Sequence, residues 1–285
     1  MNSSEASTGE NVSHETLRDI ERLAVELAGI AGSEIVKAFG GLLAVKYKTI
    51  AKEDEWRDPV SEVDSKIERM IRERLAENFP HHGIIGEEMD DHPARGGDFI
   101  WSIDPIDGTA NFVNGFPLFS ASIGVLHKGV PVVGALWCPV SHALRAGVYH
   151  CTSGGKLRFD GADATPKVNP AVRRRLVGVP TLTASDSFWE ARKTGSAAFE
   201  CAMVAAGLLQ AARFASPNIW DIAGGLALVF ASGGIARRRE GGRWVAMERF
   251  AMTEENADLR FWRGEIILGE STAVGILCTE QDAAR

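Results

Sequence analysis

The chain reads as a mixed α+β protein, and three patterns carry that reading. Apolar residues recur at helical spacing in two stretches near the start, and from Gly83 the texture changes to short β-type runs separated by turns. Beyond residue 154 or so, shorter strands alternate with helical runs. At 285 residues the chain is long enough for one large domain or two halves that each bury a core. Gly154 and Gly155, with the polar segment Asp160 to Lys167, mark the best boundary, predicting an α+β half over residues 1–153 and an α/β half over residues 154–285.

The first element is an amphipathic helix. Leu17, Ile20, Leu23, Leu27, Ile30 and Ile35 recur on one face, Ser13 is placed to cap it, and Gly40 and Gly41 stop it. Val63, Ile67, Met70, Ile71, Leu75 and Phe79 mark a second helix ending at Pro80, with Glu68, Arg69, Arg72 and Glu73 assigned to its polar, outward face. Between the two, Lys46 to Arg57 is polar and Lys-rich and reads as a loop or hairpin. Strands are predicted at Ile84 and Ile85, Phe99 to Ile103, Ser120 to His127, Val130 to Trp137 and Leu144 to Tyr149, with a hairpin at Lys128 and Gly129. Phe199 to Leu209 and Asp221 to Ala231 read as helices, and Arg237 to Arg239 as a solvated strand edge.

Composition narrows the function. Against 31 basic residues stand 38 acidic ones, a net charge of −7, which disfavours nucleic-acid binding through a broad positive face. No apolar run approaches the roughly 18 residues of a membrane-spanning helix, and Met1 to Glu15 carries no export-type apolar core, so no membrane association and a cytoplasmic location are expected. Cys138, Cys151, Cys201 and Cys278 are widely spaced and form no CxxC pair, which predicts reduced core thiols.

The chemistry is concentrated in the run WSIDPIDGTANF, Trp101 to Phe112, where an apolar strand meets two aspartates separated by Pro and Ile. Pro105 restricts the turn, so Asp104, Asp107 and the Ile106 carbonyl are free to converge as hard oxygen ligands, and Gly108 lets backbone approach a ligand closely. If a short helix begins near Thr109, the amides of Gly108 and Thr109 face outward to a phosphate. Glu87 and Glu88 follow a predicted strand, and Asp221 stands at a predicted helix start. Taken singly, these acids are more often caps or turn residues than ligands; the combination is what points to a site. Two carboxylates about 4 Å apart repel by roughly 4 kcal/mol at an effective dielectric of 20, so such a cluster needs cations. With oxygen donors and no His or Cys set, Mg²⁺ is expected, Mn²⁺ and Ca²⁺ being compatible with the same ligand type.

At these residues the sequence resembles the inositol monophosphatase family of Mg²⁺-dependent, lithium-sensitive phosphatases. Its elements occur in order: Asp58 to Asp64 (DPVSEVD), Gly86 to Glu88, the DPIDGTANF segment, Gly195 to Ala198, and Trp220 with Asp221. The resemblance implies a layered α-β-α-β-α sandwich, commonly a homodimer, acting on a small-molecule phosphate ester. It implies one metal held by Glu87, Asp104 and the Ile106 carbonyl, a second by Asp104, Asp107 and Asp221, and a weaker third near Glu87. Glu87 and Thr109 would polarise the attacking water, Asp58 would orient Thr109, and Asp107, Gly195 and Ser196 would meet the substrate.

Departures bear on the substrate. Phe214, flanked by Arg213, stands where inositol-selective members carry a glutamate, and the insert holding Lys46, Lys48 and Lys52 obscures which lysine takes the family's active-site role. Arg213 is a candidate for a second anionic group on the substrate. The expected activity is that of an inositol-1-phosphate-type phosphomonoesterase. The alternatives are histidinol-phosphate, sugar-bisphosphate or adenosine 3′,5′-bisphosphate phosphatase, or a regulatory binding protein on the same fold.

Overall fold

The computed structural model describes residues 12–41, 43–47, 59–89, 97–164, 169, 171–182, 188–251 and 258–283. Helix α1 (His14–Ala38) begins at Ser13, whose hydroxyl accepts from the Thr16 amide, and ends before Gly40 at φ 77°. Strands β1 (Val45–Tyr47) and β2 (Pro59–Ser61) pair antiparallel and lead into α2 (Glu62–Asn78). There Ser61 and Asp64 form a reciprocal capping box.

The first sheet follows: β3 (Gly83–Gly86), β4 (Phe99–Asp107), β5 (Ser120–His127), β6 (Val130–Cys138), β7 (Gly147–Thr152), β8 (Arg158–Phe159) and β9 (Ala162–Asp163), in that spatial order. Only β3 and β4 run parallel; the other neighbours are antiparallel. The hairpin at Lys128 and Gly129 is present, both residues at positive φ as a tight two-residue turn requires. β7 starts at Gly147, later than the expected Leu144, which instead sits exposed in a turn at φ 55°.

A one-turn helix α3 (Thr109–Val113) follows β4. The second sheet takes β10 (Leu176–Gly178), β11 (Glu190–Arg192), β12 (Ala211–Phe214), β13 (Ile235–Glu240), β14 (Arg243–Ala246) and β15 (Ile266–Gly269), ordered β11-β10-β12-β15-β13-β14. Helices α4 (Ala197–Ala205) and α5 (Ile219–Ala231) lie between the sheets, and α6 (Ser271–Ala283) covers the outer face of the second.

Five layers result. The core shared by α1, α2 and the first sheet contains Ile20, Leu27, Ile67, Trp101 and Ile123. The central core joins the other face of that sheet to α4, α5 and the second sheet through Leu136, Phe199, Ile222 and Leu268, and Ile267 of β15 packs with Val274 of α6. Because both faces of the first sheet are covered, β4 is buried throughout from Trp101 to Asp107 and reads as a continuous apolar run where no acid interrupts it.

The first sheet continues through Asp163, past residue 153, and helices α4 and α5 pack on it. Two expectations change. Arg237 to Arg239 lie in β13, which is paired on both sides by β14 and β15; β14 is the edge. Arg239 is accordingly nearly buried, stacked 4.3 Å over Trp244 and paired with Glu265 and Asp282. Glu68 is fully buried and Arg72 largely so, where the sequence pattern assigned both to solvent. The four cysteines are free and buried, and no helix among the described residues is long and apolar enough to cross a membrane.

Candidate metal centre and active site

In a regular strand, residues 104 and 107 would point to opposite faces. A bulge at the end of β4 prevents this: Asp104 pairs with Ser122 and Asp107 with Ser120, so Pro105 and Ile106 oppose a single residue. Pro105 has no amide to lose from the ladder, which is why the irregularity settles there. Both aspartates thereby face the same side.

Asp221 arrives from the second half through close packing. Gly124 and Gly134, paired across β5 and β6, lie against the backbone of Gly224; a Cβ on either would collide with it. On the flank of α5, Gly225 leaves room only for Cys201 of α4. The N-terminal half of α5 is thus pressed onto the sheet at Gly224, and Asp221, whose carboxylate accepts from the Asn218 amide at 2.7 Å, is held in its first turn. One carboxylate oxygen each of Asp104, Asp107 and Asp221 lies within 4.8 Å of the others.

Burial dominates the electrostatics. It pushes Asp104 well above the usual carboxylate range, reinforced by the charges of Glu87, Asp107 and Asp221. Asp221 is raised likewise, by burial and then by Asp107. Asp107 rises to about 6; burial again leads, opposed by hydrogen bonds from the Ser196 hydroxyl at 2.6 Å and the Ala198 amide at 2.5 Å. Those donors sit at the start of α4, so a helix terminus steadies one member of the cluster. Asp104 Oδ1 is buried with no hydrogen-bond partner, and among the described residues no lysine or arginine pairs with any of the three aspartates. An orphaned buried carboxylate oxygen among like charges is what a hard divalent cation satisfies, so the donor set fits magnesium.

Glu87 follows β3, its amide bonded to the Ile103 carbonyl at 3.2 Å, and its charge raises Asp64, Asp104, Asp107 and Asp221. It therefore belongs to the same cluster electrostatically. Gly108, at φ 90°, turns the chain from β4 into α3; the Thr109 hydroxyl lies 2.8 Å from the Ile106 carbonyl and 3.1 Å from Asp64 Oδ1. Asp58, assigned to orient Thr109, lies outside the described residues, as do Lys48 and Lys52; Lys46 is exposed on β1.

The loop before α4 is tied to this centre. The Asn111 side-chain amide donates to the carbonyls of Leu118 and Thr194, and Thr194 donates through its amide and hydroxyl to Glu200, whose carboxyl burial lifts to about 7. Gly195, at φ 83°, turns against Asn111, and the Ser196 hydroxyl reaches Asp107.

The pleat of β12 sets the faces of Phe214 and Arg213. Phe214 shares the face of Ala212 and packs into the central core, 7% exposed. Arg213 shares the face of Ala211, toward α6, where Glu265 holds it at 2.8 Å. Phe214 thus lines the core that also holds Ile219 and Ile222, on either side of Asp221.

The pattern missed Asp64, Glu68, Asn111 and Glu200. For α2 a signal was available: Asp64, Glu68 and Arg72 each directly follow an apolar seam residue and recur every four positions, so they line one side of the buried stripe. Asp64 and Glu68 are both raised by burial. Asn111 and Glu200 carry no comparable mark.

Residues 16–260 match the inositol monophosphatase family. A fructose-1,6-bisphosphatase/inositol-1-monophosphatase of Aquifex aeolicus is 31% identical, the alignment covering 74% of this chain and 82% of that protein. An inositol-1-monophosphatase, ImpA, of Mycolicibacterium smegmatis is 32% identical over 66% of this chain and 72% of its own. Among solved structures, the extragenic suppressor protein suhB of Bartonella henselae superposes with a TM-score of 0.72 at 25% identity, covering 91% of this chain and 96% of that one. With a buried carboxylate cluster at the bulged end of β4 and a family match spanning most of its length, this chain belongs to the inositol monophosphatase family.

Proposed function

We propose that this chain is a Mg²⁺-dependent phosphomonoesterase that hydrolyses a small polyol or sugar phosphate, with inositol 1-phosphate the leading substrate. The observation carrying this reading is the buried meeting of Asp104, Asp107 and Asp221 around an unpartnered carboxylate oxygen, in a chain of this family. These three aspartates, with Glu87 and the Ile106 carbonyl, would hold the metal. Magnesium bound there supplies Lewis-acid polarisation of the phosphoryl oxygens and positive charge for the departing alkoxide.

The chain's own groups do the rest. The amides of Gly108 and Thr109 receive phosphate oxygens, while Glu87 and the Thr109 hydroxyl orient a water in line with phosphorus. Water oxygen bonds to phosphorus as the ester P–O bond breaks, and the alcohol leaves with a proton, giving alcohol and inorganic phosphate. Gly195 and Ser196 border the substrate's organic part, next to Asp107. With Phe214 in the core and Arg213 turned toward α6, neither a carboxylate for a ring hydroxyl nor a cation for a second phosphate comes from β12. A compact monophosphate is therefore favoured over a bisphosphate.

A phosphate-release panel of inositol 1-phosphate, histidinol phosphate, fructose 1,6-bisphosphate and adenosine 3′,5′-bisphosphate tests this. The highest kcat/KM is expected for inositol 1-phosphate, with activity lost on chelation, restored by Mg²⁺ and reduced by Li⁺. Full turnover in rigorously metal-free buffer would refute the metal assignment. A second reading, a regulatory binding protein on this fold, draws on the suppressor protein that the chain resembles; it predicts no turnover of any ester.

A further inference from the structure

We propose that the cavity at the C-terminal end of α5 is a second binding site, one that takes a flat apolar molecule carrying a basic nitrogen. The site lies apart from the carboxylate cluster and does not depend on the phosphatase reading.

Five segments drawn from both sheets and the helix between them converge there: the start of β6, the turn after β7, the last turns of α5, the start of β13 and the end of β14. They enclose about 610 Å³, within the range of small-molecule pockets. Asp221 stands in the first turn of α5 and Ala231 is its last residue, about 15 Å further along the axis. None of the residues assigned above to metal or phosphate borders the cavity.

Its walls suit a planar ring. Gly154, Gly155 and Gly234 present bare backbone, and Ala227, Ala231 and Ala236 carry no more than a methyl group. Phe230 and Met247 add apolar edges. Ala227, Ala236 and Met247 are buried, whereas Phe230 and Ala231 are only half-buried at the end of their helix, so apolar surface continuous with the central core reaches solvent here. A ring laid against it removes that surface from water.

The charge at this end is negative. No basic residue stands in the last turn of α5, so the partial negative charge of its C-terminus is not answered on the helix. Glu248 stands exposed at the rim. Arg237 also borders the cavity, yet its side chain belongs to the other face of β13: it lies in register with Ile267, which packs with α6, and its charge acts on Cys278 of that helix. An ammonium group beside Glu248 is therefore favoured over a carboxylate.

The test titrates the full-length protein by isothermal calorimetry, in saturating Mg²⁺, with tryptamine, an indole bearing an ammonium group, and with indole-3-propionate, the same ring bearing a carboxylate. Tryptamine is expected to bind saturably at one site and indole-3-propionate far more weakly. Glu248→Gln should weaken tryptamine about two- to fivefold. Ala231→Trp, which fills the cavity from α5, should abolish binding with Tm maintained. Ser153→Trp fills it from the opposite wall and decides the matter if Ala231→Trp fails to fold. No saturable binding, equal binding of the two ligands, or binding that survives both filling variants would overturn the proposal. So would binding lost in Asp221→Asn and kept in Ala231→Trp, which would put the amine on the carboxylate cluster.

Discussion

Two clusters of buried or half-buried charge, on opposite faces of the second half's architecture, solve the same problem differently. On the α6 face, Glu265 sits between Arg213 and Arg239, at 2.8 and 3.1 Å, and Arg239 reaches on to Asp282 at 2.7 Å. Those acids find their cations within the chain. At the end of β4, Asp104, Asp107 and Asp221 face one another with no such partner among the described residues, and burial drives their protonation upward. The first arrangement is complete as folded; the second is stable in its ionised form only with a cation from solution. Self-neutralised charge marks architecture, and unneutralised charge at a bulged strand end marks a site.

The comparison breaks most sharply at Asp221. Asp221→Asn or Asp107→Asn should leave the fold intact and reduce kcat by at least about 100-fold, measured by phosphate release with far-ultraviolet circular dichroism as the fold control. Near-normal turnover in both would place the site elsewhere.

Removing one partner from each cluster should have opposite consequences. Glu265→Gln takes from Arg213 the anion it pairs with and leaves Arg239 with Asp282, and is expected to cost up to about 3 kcal/mol of stability in urea unfolding, with kcat per folded molecule little changed. Asp104→Asn relieves repulsion, so in metal-free buffer it should unfold no more readily than wild type. A large destabilisation there would mean that the cluster is held by something other than a metal.

The pH dependence sharpens the contrast. The folded-state value of Asp107, about 6, lies above its ordinary 3.8, so the folded state binds more protons over that interval and stability falls as pH rises. The contribution is fully present below about 3.8 and lost as pH passes through about 6, at most about 3 kcal/mol for this group. Metal-free protein should therefore have a higher Tm at pH 5 than at pH 7.5, and saturating Mg²⁺ should flatten or reverse that slope. An Mg²⁺-independent slope would remove the cluster from the metal site.

The smallest effect is expected at Arg213. Because the side chain faces α6, Arg213→Ala should alter kcat/KM for fructose 1,6-bisphosphate and inositol 1-phosphate by the same small factor. A selective loss on the bisphosphate would return Arg213 to the substrate.

Much of this molecule was legible because its signals are local. The seam from Leu17 to Ile35, the Ser13 cap, the turn at Lys128 and Gly129, and the DPIDGT run each declare themselves within a single element or turn, and all but the last require only backbone preference and burial. The errors came where a local rule met a distant partner. Charged residues on α2 looked solvent-facing until the Glu87 turn closed over Glu68, and an Arg run looked like an edge until β14 and β15 flanked β13. For Phe214 the sequence gives a position along the chain, and the pleat of β12 gives its face.

Sequence by itself determined the class of fold, the order of the elements and the acids available for catalysis, since helical period, strand alternation and residue chemistry are properties of neighbouring residues. Tertiary structure alone decided which acids meet. Asp221 reaches Asp104 only because Gly124, Gly134 and Gly224 let α5 lie flush on the first sheet, and Asp107 joins them only because a bulge at Pro105 turns it to the same face. Both depend on close approach between segments far apart in sequence, and no local pattern encodes that distance.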